Sequence, residues 1–206
     1  MIDTHSALKH FKVHDPHMAH LLHNALDASN PITLPKAKPE SQWFSSIVSS
    51  ITSQQISTKA AASIFGRLKA TLGEITPEAV INTPRTEVRS CGLSDRKTDY
   101  IYHNANAWKT LPTNSFQEMS DEDIIIEMTK LYGIGRWTVE MFLMSTLARP
   151  DVFSYGDLGL MQGMFQNYPL KPHWNRKIEA LVNSWSPHKT LSSLTLWYYK
   201  DGGPIN

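Results

Sequence analysis

The sequence predicts an all-α protein, chiefly from the period of its apolar residues. These recur every three or four positions along most of the chain, the spacing that places them on one face of a helix. The strongest stripes are Phe44, Ile47, Val48 and Ile51 and, after a polar break, Ala61, Ile64, Phe65 and Leu68. No convincing run alternates apolar and polar residues in the manner of a half-buried strand.

A proline-rich stretch between residues 31 and 39 indicates that the helices form two lobes. It predicts an extended linker, because proline cannot continue a helix and has no main-chain N–H to donate. We expect residues 41–149 to form one lobe and residues 1–40 with 150–206 to form the other, with a cleft between them. The 206 residues would then be a single module, although the chain is also long enough for one large domain.

Capping signals predict the ends of several shorter helices. Thr76-Pro77 and Thr83-Pro84 each place a hydroxyl before a proline at the first helical position, and Cys91-Gly92 supplies a stop. Two short helices are therefore expected between residues 76 and 91. The stripes of the later helices are Ile101, Ala105 and Trp108; Trp174, Ile178, Leu181, Val182 and Trp185; and Leu191, Leu194 and Trp197.

Composition excludes several classes of site. The single cysteine, Cys91, rules out an internal disulfide and a four-cysteine iron–sulfur cluster within the chain. A formal net charge of +1 gives no bulk signal for a polyanionic partner. The sequence shows neither a signal-peptide pattern at its start nor an apolar run of membrane-spanning length, so we expect no membrane association and a cytoplasmic location.

The most informative stretch, residues 120–147, is predicted to be two helices joined by a tight turn. Ser120 with Asp123 resembles a capping box, and the apolar run of the first helix ends at Leu131. A new apolar stripe begins at Val139, so the turn is expected to comprise only residues 133–135, Gly-Ile-Gly. This pattern is a helix-hairpin-helix.

Gly133 and Gly135 allow unusual backbone angles and leave main-chain N–H groups available where the second helix begins. Such amides bind phosphate without needing a large net positive charge or reading bases. Gly133, Gly135 and Thr138 are therefore candidate phosphate-binding residues. The alternative is that Gly-Ile-Gly is merely a tight connection between helices.

Three segments together resemble the helix-hairpin-helix DNA glycosylase superfamily, which is characterised by that hairpin, a Gly/Pro-rich loop and an aspartate. They read LYGIGRWT over residues 131–138, RPDVFSYGDLG over residues 149–159 and SQWFSSIVSSITSQQIS over residues 41–57. The last looks like the opening helix of the DNA-3-methyladenine glycosylase II branch. The resemblance covers about residues 40–200 and implies that DNA binds in the cleft between the lobes.

The resemblance makes Asp157 the catalytic carboxylate. Departure of a purine builds positive charge on the deoxyribose, and a carboxylate beside the sugar stabilises that charge and orients the attacking water. Asp157 could instead be only the N-cap of the helix that follows it, and the two roles are compatible.

Trp137 stands where bifunctional members of the family carry the lysine that forms a Schiff base. The resemblance therefore implies a monofunctional enzyme in which Trp137 stacks on the everted base, with ordinary core packing as the alternative. Tyr155 is a second candidate for the base pocket. It lies in Ser154-Tyr155-Gly156, where the chain departs from the family pattern.

Gln54 and Gln55 fall where relatives insert a side chain into the gap that the everted nucleotide leaves. The sequence does not show which of them inserts, and both could be solvated residues at a helix break. Arg96 and Lys97 are interpreted as a solvated basic pair.

The function expected from this resemblance is excision of alkylated purines, of the 3-methyladenine and 7-methylguanine type, in base excision repair. The partner is duplex DNA containing a damaged base, the protein is a monomer, and its location is the cytoplasm with the nucleoid in a bacterium or the nucleus in a eukaryote. The reaction requires no cofactor. A structural Na⁺ or K⁺ held by the main chain of Thr129, Leu131 and Ile134 is implied by the resemblance. The alternatives are a glycosylase for deaminated or oxidised bases and a noncatalytic DNA-binding protein.

Overall fold

The computed structural model describes residues 2–170 and 176–201, and every regular element in these ranges is helical. The all-α prediction is confirmed. The helices are α1 (Thr4–His14), α2 (Pro16–Asp27), α3 (Trp43–Ser53), α4 (Thr58–Leu72), α5 (Pro77–Asn82), α6 (Arg85–Ser90), α7 (Asp95–Trp108), α8 (Asp121–Met128), α9 (Arg136–Ser145), α10 (Leu158–Asn167), α11 (Arg176–Ser184) and α12 (Lys189–Lys200), with short 3-10 turns at Glu40–Gln42 and Thr113–Ser115. None of the helices in the described ranges is long and apolar enough to span a membrane. Trp174 lies outside the described residues.

The chain divides into two compact units, residues 38–142 and residues 1–37 with 143–206. The second boundary falls inside α9. The first unit contains α3 to α8 and the start of α9. The second contains α1, α2, the end of α9 and α10 to α12.

In the unit of residues 38–142, the apolar stripe of α3 is buried as the sequence predicts: all four of its residues are at most 2% exposed. Trp43, at the start of α3, adds an aromatic cluster to this core. Its ring stacks on Phe116 with centroids 5.7 Å apart and meets the edge of Phe142 at 6.1 Å. Because these contacts join α3 to α9, they fix where the hairpin lies in this unit.

The two short helices expected between residues 76 and 91 are present as α5 and α6, but only one predicted cap is correct. Thr76 caps α5 by accepting a hydrogen bond from the Ala79 amide at 3.1 Å. Thr83 does not cap α6. Its hydroxyl donates back to the Ala79 carbonyl at 2.8 Å, so it ends α5, and α6 begins after Pro84 without a side-chain cap.

The core of the second unit surrounds a buried carboxylate, Asp15. This residue caps α2 through the Met18 amide at 3.0 Å and accepts hydrogen bonds from the Tyr168 hydroxyl and the Trp185 indole, both at 2.7 Å. Three donors therefore compensate the desolvation of the carboxylate. The same bonds tie α2 to the chain after α10 and after α11.

Helices α10 and α12 approach each other at the level of their backbones. A Cβ atom placed on Gly163 would lie 2.4 Å from the carbonyl oxygen of Leu196, closer than real atoms pack. Glycine is therefore required at this position for α10 to lie against α12. The contact sets the spacing between the start of α10, at Asp157, and the residue after Leu196, Trp197.

Candidate active site

The hairpin turn is longer than the sequence indicated. Helix α8 ends at Met128 and α9 begins at Arg136, so residues 129–135 form the connection rather than residues 133–135 alone. Leu131 and Ile134 point into the core and are 4% and 5% exposed. The apolar residues that suggested a longer helix instead anchor the turn. Ser120 caps α8 as predicted, through the Asp123 amide at 3.2 Å.

Gly133 is the residue on which the turn depends. Its φ of +72° lies in the left-handed region, and a Cβ atom there would be 2.3 Å from Cδ2 of Tyr100. Both the backbone angle and the nearby ring therefore require glycine. Gly135 differs: its φ lies outside the left-handed region, and no atom lies within 4 Å of the position that its Cβ would take.

Asn104, on α7, holds the preceding residue of the turn. Its Oδ1 accepts a hydrogen bond from the Tyr132 amide at 2.8 Å, and its Nδ2 donates to the Tyr132 carbonyl at 3.0 Å. The Asn104 side chain is fully buried, so both polar groups of the amide need these partners. Asn104 therefore fixes both the amide and the carbonyl of Tyr132 in the main chain of the turn.

Arg136, the first residue of α9, is already engaged by acidic side chains. Its guanidinium makes a bidentate pair with Glu122 at 2.9 and 2.7 Å and a third bond to Glu140 at 3.0 Å. These hydrogen bonds, chiefly those to Glu122, raise the pKa of Arg136. The arginine therefore ties α9 to the start of α8, and the predicted contact of the turn with phosphate concerns its main-chain amides.

The next two residues of α9 face different surroundings. Trp137 is 44% exposed, which is unusual for a large apolar side chain. Core packing does not account for that exposure. Thr138 is buried, so its predicted contact with phosphate concerns its main-chain amide in the first turn of the helix.

The loop after α3 brings one of the two candidate glutamines to the hairpin. Nε2 of Gln54 donates to the carbonyl of Gly133 at 2.9 Å. Gln55 is exposed and has φ of +58°, a left-handed conformation that costs a non-glycine residue about 1–2 kcal/mol. Such strain concentrates at functional sites, where surrounding contacts maintain it.

Asp157 lies in the other unit, as the N-cap of α10. Its Oδ1 accepts hydrogen bonds from the Leu160 amide at 2.6 Å and from the Trp197 indole N–H at 3.0 Å. The two donors fix the orientation of the carboxylate, at a helix end where negative charge is stabilised. In the sequence, Trp197 stands out only as an apolar residue of the last helix, and no local pattern indicates its bond to Asp157.

Tyr155 precedes Asp157 by two residues and is 38% exposed. Its ring meets the edge of Phe153, with centroids 5.0 Å apart. Burial, followed by the charge of Glu179, raises the pKa of the Tyr155 hydroxyl. The residue therefore presents a neutral aromatic ring with a polar tip.

The monovalent cation on the main chain of Thr129, Leu131 and Ile134 stays a prediction. The Leu131 carbonyl accepts a hydrogen bond from the Ile134 amide at 3.3 Å, and a carbonyl oxygen has a second lone pair. Thr129 is the C-cap of α8, at a helix end where carbonyls lack a partner further along the helix. Over residues 2–170 and 176–201, no three His, Cys, Asp or Glu side chains are grouped to hold a metal ion.

A glycine-containing turn between the two helices α8 and α9 is a helix-hairpin-helix motif, and a fixed carboxylate follows it at the start of α10. The sequence profile of the superfamily matches residues 48–188, and the chain belongs to the HhH-GPD superfamily of base excision DNA repair proteins. This confirms the family predicted from the three sequence segments.

Individual relatives agree with this assignment. The chain is 35% identical over 162 residues to DNA-3-methyladenine glycosylase 1 of Schizosaccharomyces pombe, covering 75% of this chain and 71% of the relative. It superimposes on the solved DNA-3-methyladenine glycosidase of Bacillus halodurans with a TM-score of 0.79 and 30% identity, covering 95% and 89% of the two chains. The S. pombe 3-methyladenine DNA glycosylase in complex with abasic DNA gives a TM-score of 0.76 and 27% identity, covering 98% and 100%.

Proposed function

We propose that this protein is a monofunctional DNA N-glycosylase that flips alkylated purines, of the 3-methyladenine and 7-methylguanine type, out of duplex DNA and hydrolyses their N-glycosidic bond. The observation that carries the proposal is Asp157, a carboxylate fixed by two donors at the start of α10 in a member of a base excision repair superfamily. The names of the similar glycosylases support the substrate class.

Asp157 acts on the sugar. As the bond to the purine breaks, positive charge develops on the deoxyribose, and the carboxylate stabilises it and orients the water that attacks the anomeric carbon. Trp197 is a positioning residue in this reaction, because its indole N–H holds Oδ1 of Asp157. The products are the free base and an abasic site, and the step requires no cofactor.

Gln55 fills the gap in the duplex, and Gln54 braces the loop from which Gln55 projects. The side-chain amide of Gln54 bonds to Gly133, whereas Gln55 is exposed and held in a left-handed conformation. Eversion of a nucleotide loses base stacking worth roughly a few kcal/mol, and an inserted glutamine reduces that loss. Its side-chain amide can hydrogen-bond the opposite base, which has lost its pairing partner.

The hairpin binds the sugar-phosphate backbone of the DNA. Main-chain amides at Gly133, Gly135 and Thr138 donate hydrogen bonds to phosphate oxygens, and a Na⁺ or K⁺ on the carbonyls of Thr129, Leu131 and Ile134 stabilises the turn. Because these contacts do not read bases, they suit a protein that inspects DNA of any sequence.

Trp137 and Tyr155 receive the everted base. Their exposed rings offer π faces to electron-poor alkylated purines. Trp137 has no amine and forms no Schiff base, so the DNA strand stays intact after excision. The protein acts as a monomer on the genome, in the nucleoid if the source is bacterial and in the nucleus if it is eukaryotic.

The experiment compares wild-type protein with Asp157→Asn on duplexes containing a methylated purine, hypoxanthine, uracil or oxidised guanine, followed by alkali to reveal abasic sites. We expect release of methylated purines by the wild type, loss of excision in Asp157→Asn with DNA binding retained, and no strand break before alkali. Asp27→Asn is the matched control, because Asp27 is an exposed acid on α2.

Four results would contradict the proposal. Full activity of Asp157→Asn would exclude the catalytic role of that residue. A DNA adduct trapped by borohydride would show a Schiff base and exclude the monofunctional mechanism. Preference for hypoxanthine, uracil or oxidised guanine would change the substrate class, and binding without excision of any base would indicate a noncatalytic protein.

A further inference from the structure

One face of α7 contacts both the loop after α3 and the hairpin turn. Lys97, Tyr100 and Asn104 are spaced by three and four residues, which places them on the same side of the helix. Lys97 meets the loop, and Tyr100 and Asn104 meet the turn. This single rigid element therefore supports the two segments proposed to contact DNA.

Lys97 is not the solvated residue expected from the sequence. Its ammonium donates to the carbonyls of Thr52 at 2.8 Å and Gln54 at 2.7 Å. These carbonyls lie at the C-terminal end of α3, where carbonyls lack intrahelical partners and a cation is stabilised. Burial, followed by the charge of Arg96, lowers the pKa of Lys97. The lysine caps α3 and fixes the first residue of the loop.

The residue immediately after the Lys97 contact is the strained Gln55. A left-handed glutamine reverts to a relaxed backbone unless its neighbours are fixed. Gln54 is fixed twice, by Lys97 at its carbonyl and by Gly133 at its side-chain amide. The contacts form a continuous path from α7 through Gln54 to the hairpin turn.

We propose that Lys97 is a positioning residue that holds Gln55 in its gap-filling conformation, in register with the hairpin. This inference rests on the proposed function, specifically on insertion of Gln55. Because a gap exists only after the nucleotide has left the stack, Lys97 contributes to the complex with everted or abasic DNA and little to the complex with intact DNA.

The test measures a ratio of affinities: affinity for a duplex containing a tetrahydrofuran abasic analogue, divided by affinity for the same duplex undamaged. We expect Lys97→Met to lower this ratio about tenfold, through loss of the two hydrogen bonds from a charged donor. Lys109→Met is the control, because Lys109 is an exposed lysine at the other end of α7 and its removal changes the net charge equally. The control should weaken both affinities alike and leave the ratio unchanged.

A double-mutant cycle with Gln55→Ala distinguishes positioning from general destabilisation. If Lys97 acts through Gln55, Lys97→Met changes the ratio less than about twofold once Gln55 is alanine. Additive effects of the two substitutions on the ratio would overturn the proposal. A ratio in Lys97→Met equal to that in the control, Lys109→Met, would overturn it as well. A wild-type ratio of one would overturn gap filling by Gln55 and the role of Lys97 with it.

Gln54→Leu provides a second variant if Lys97→Met does not fold. It removes the bond to Gly133 from the opposite side of the loop and should give the same loss of ratio and the same coupling to Gln55→Ala. An unchanged ratio of affinities in Gln54→Leu would overturn the proposed path of contacts from α7 through Gln54 to the hairpin turn. Since neither readout involves excision, a protein that shows the ratio and the coupling but releases no base would refute the glycosylase function and leave the role of Lys97 standing.

Discussion

Replacing Gly133 with alanine tests whether the hairpin turn depends on this glycine. The left-handed backbone costs alanine about 1–2 kcal/mol. The added Cβ would also lie 2.3 and 2.5 Å from two ring atoms of Tyr100, and overpacking of this kind typically costs about 1–3 kcal/mol. We therefore expect Gly133→Ala to lower the free energy of unfolding by about 2–5 kcal/mol.

Urea denaturation measures this effect, and Gly135→Ala is its matched control. With an m-value of about 2 kcal/mol/M, the Gly133→Ala midpoint should fall by roughly 1–2.5 M. Gly135 has open space around its Cβ position, so Gly135→Ala should change stability by less than about 1 kcal/mol. Because Gly135 is proposed to bind phosphate, we expect its methyl group to weaken binding of duplex DNA while the fold remains intact.

Tyr100→Ala separates the two causes of the Gly133→Ala effect. With the ring absent, adding Gly133→Ala should cost only the backbone contribution of about 1–2 kcal/mol. An unchanged midpoint for Gly133→Ala, or equal losses for Gly133→Ala and Gly135→Ala, would refute the reasoning from φ and close approach.

Three further predictions concern the second unit. Trp197→Phe removes the 3.0 Å hydrogen bond to Asp157 and should slow single-turnover excision roughly ten- to hundredfold, with the affinity for duplex DNA unchanged. An unchanged excision rate would exclude positioning of Asp157 by the indole. Gly163→Ala places a methyl group against the Leu196 carbonyl and should lower the free energy of unfolding by about 1–3 kcal/mol. A thermal stability equal to that of the wild type would contradict this prediction. Burial, followed by the charge of His10, lowers the pKa of His188, so the folded protein favours its neutral form. The stability measured by thermal melting should therefore fall as pH drops through about 6.5, and should fall less steeply in His188→Gln. Equal pH profiles for the wild type and His188→Gln would contradict this prediction.

Local signals predicted most of the helices. The stripe of α3 and the caps Thr76 and Ser120 were identifiable because periodicity and capping act between residues three or four positions apart. Thr83 was misinterpreted because the same hydroxyl can cap the next helix or bond back to the preceding one, and backbone geometry decides between them. The predicted hairpin turn is too short because the buried anchors Leu131 and Ile134 have the same apolar character as helix residues.

The supporting contacts of the site could not be predicted in this way. Lys97 reaches Thr52 across 45 positions, and Trp197 reaches Asp157 across 40. No local pattern distinguishes such a lysine from a solvated one, or such a tryptophan from a core residue. The residues proposed to face substrate are predicted from the resemblance to the family, whereas the contacts that orient them required the fold.

The pairing of Arg136 with Glu122 and Glu140 bears on how the hairpin responds to ionic strength. A cation that meets phosphate displaces condensed counterions from the duplex, and the resulting affinity falls steeply with added salt. Here the arginine nearest the turn is already compensated by two carboxylates, and dipolar amides displace few ions. We therefore expect the hairpin to keep its affinity for DNA at salt concentrations that release proteins relying on free lysine and arginine side chains.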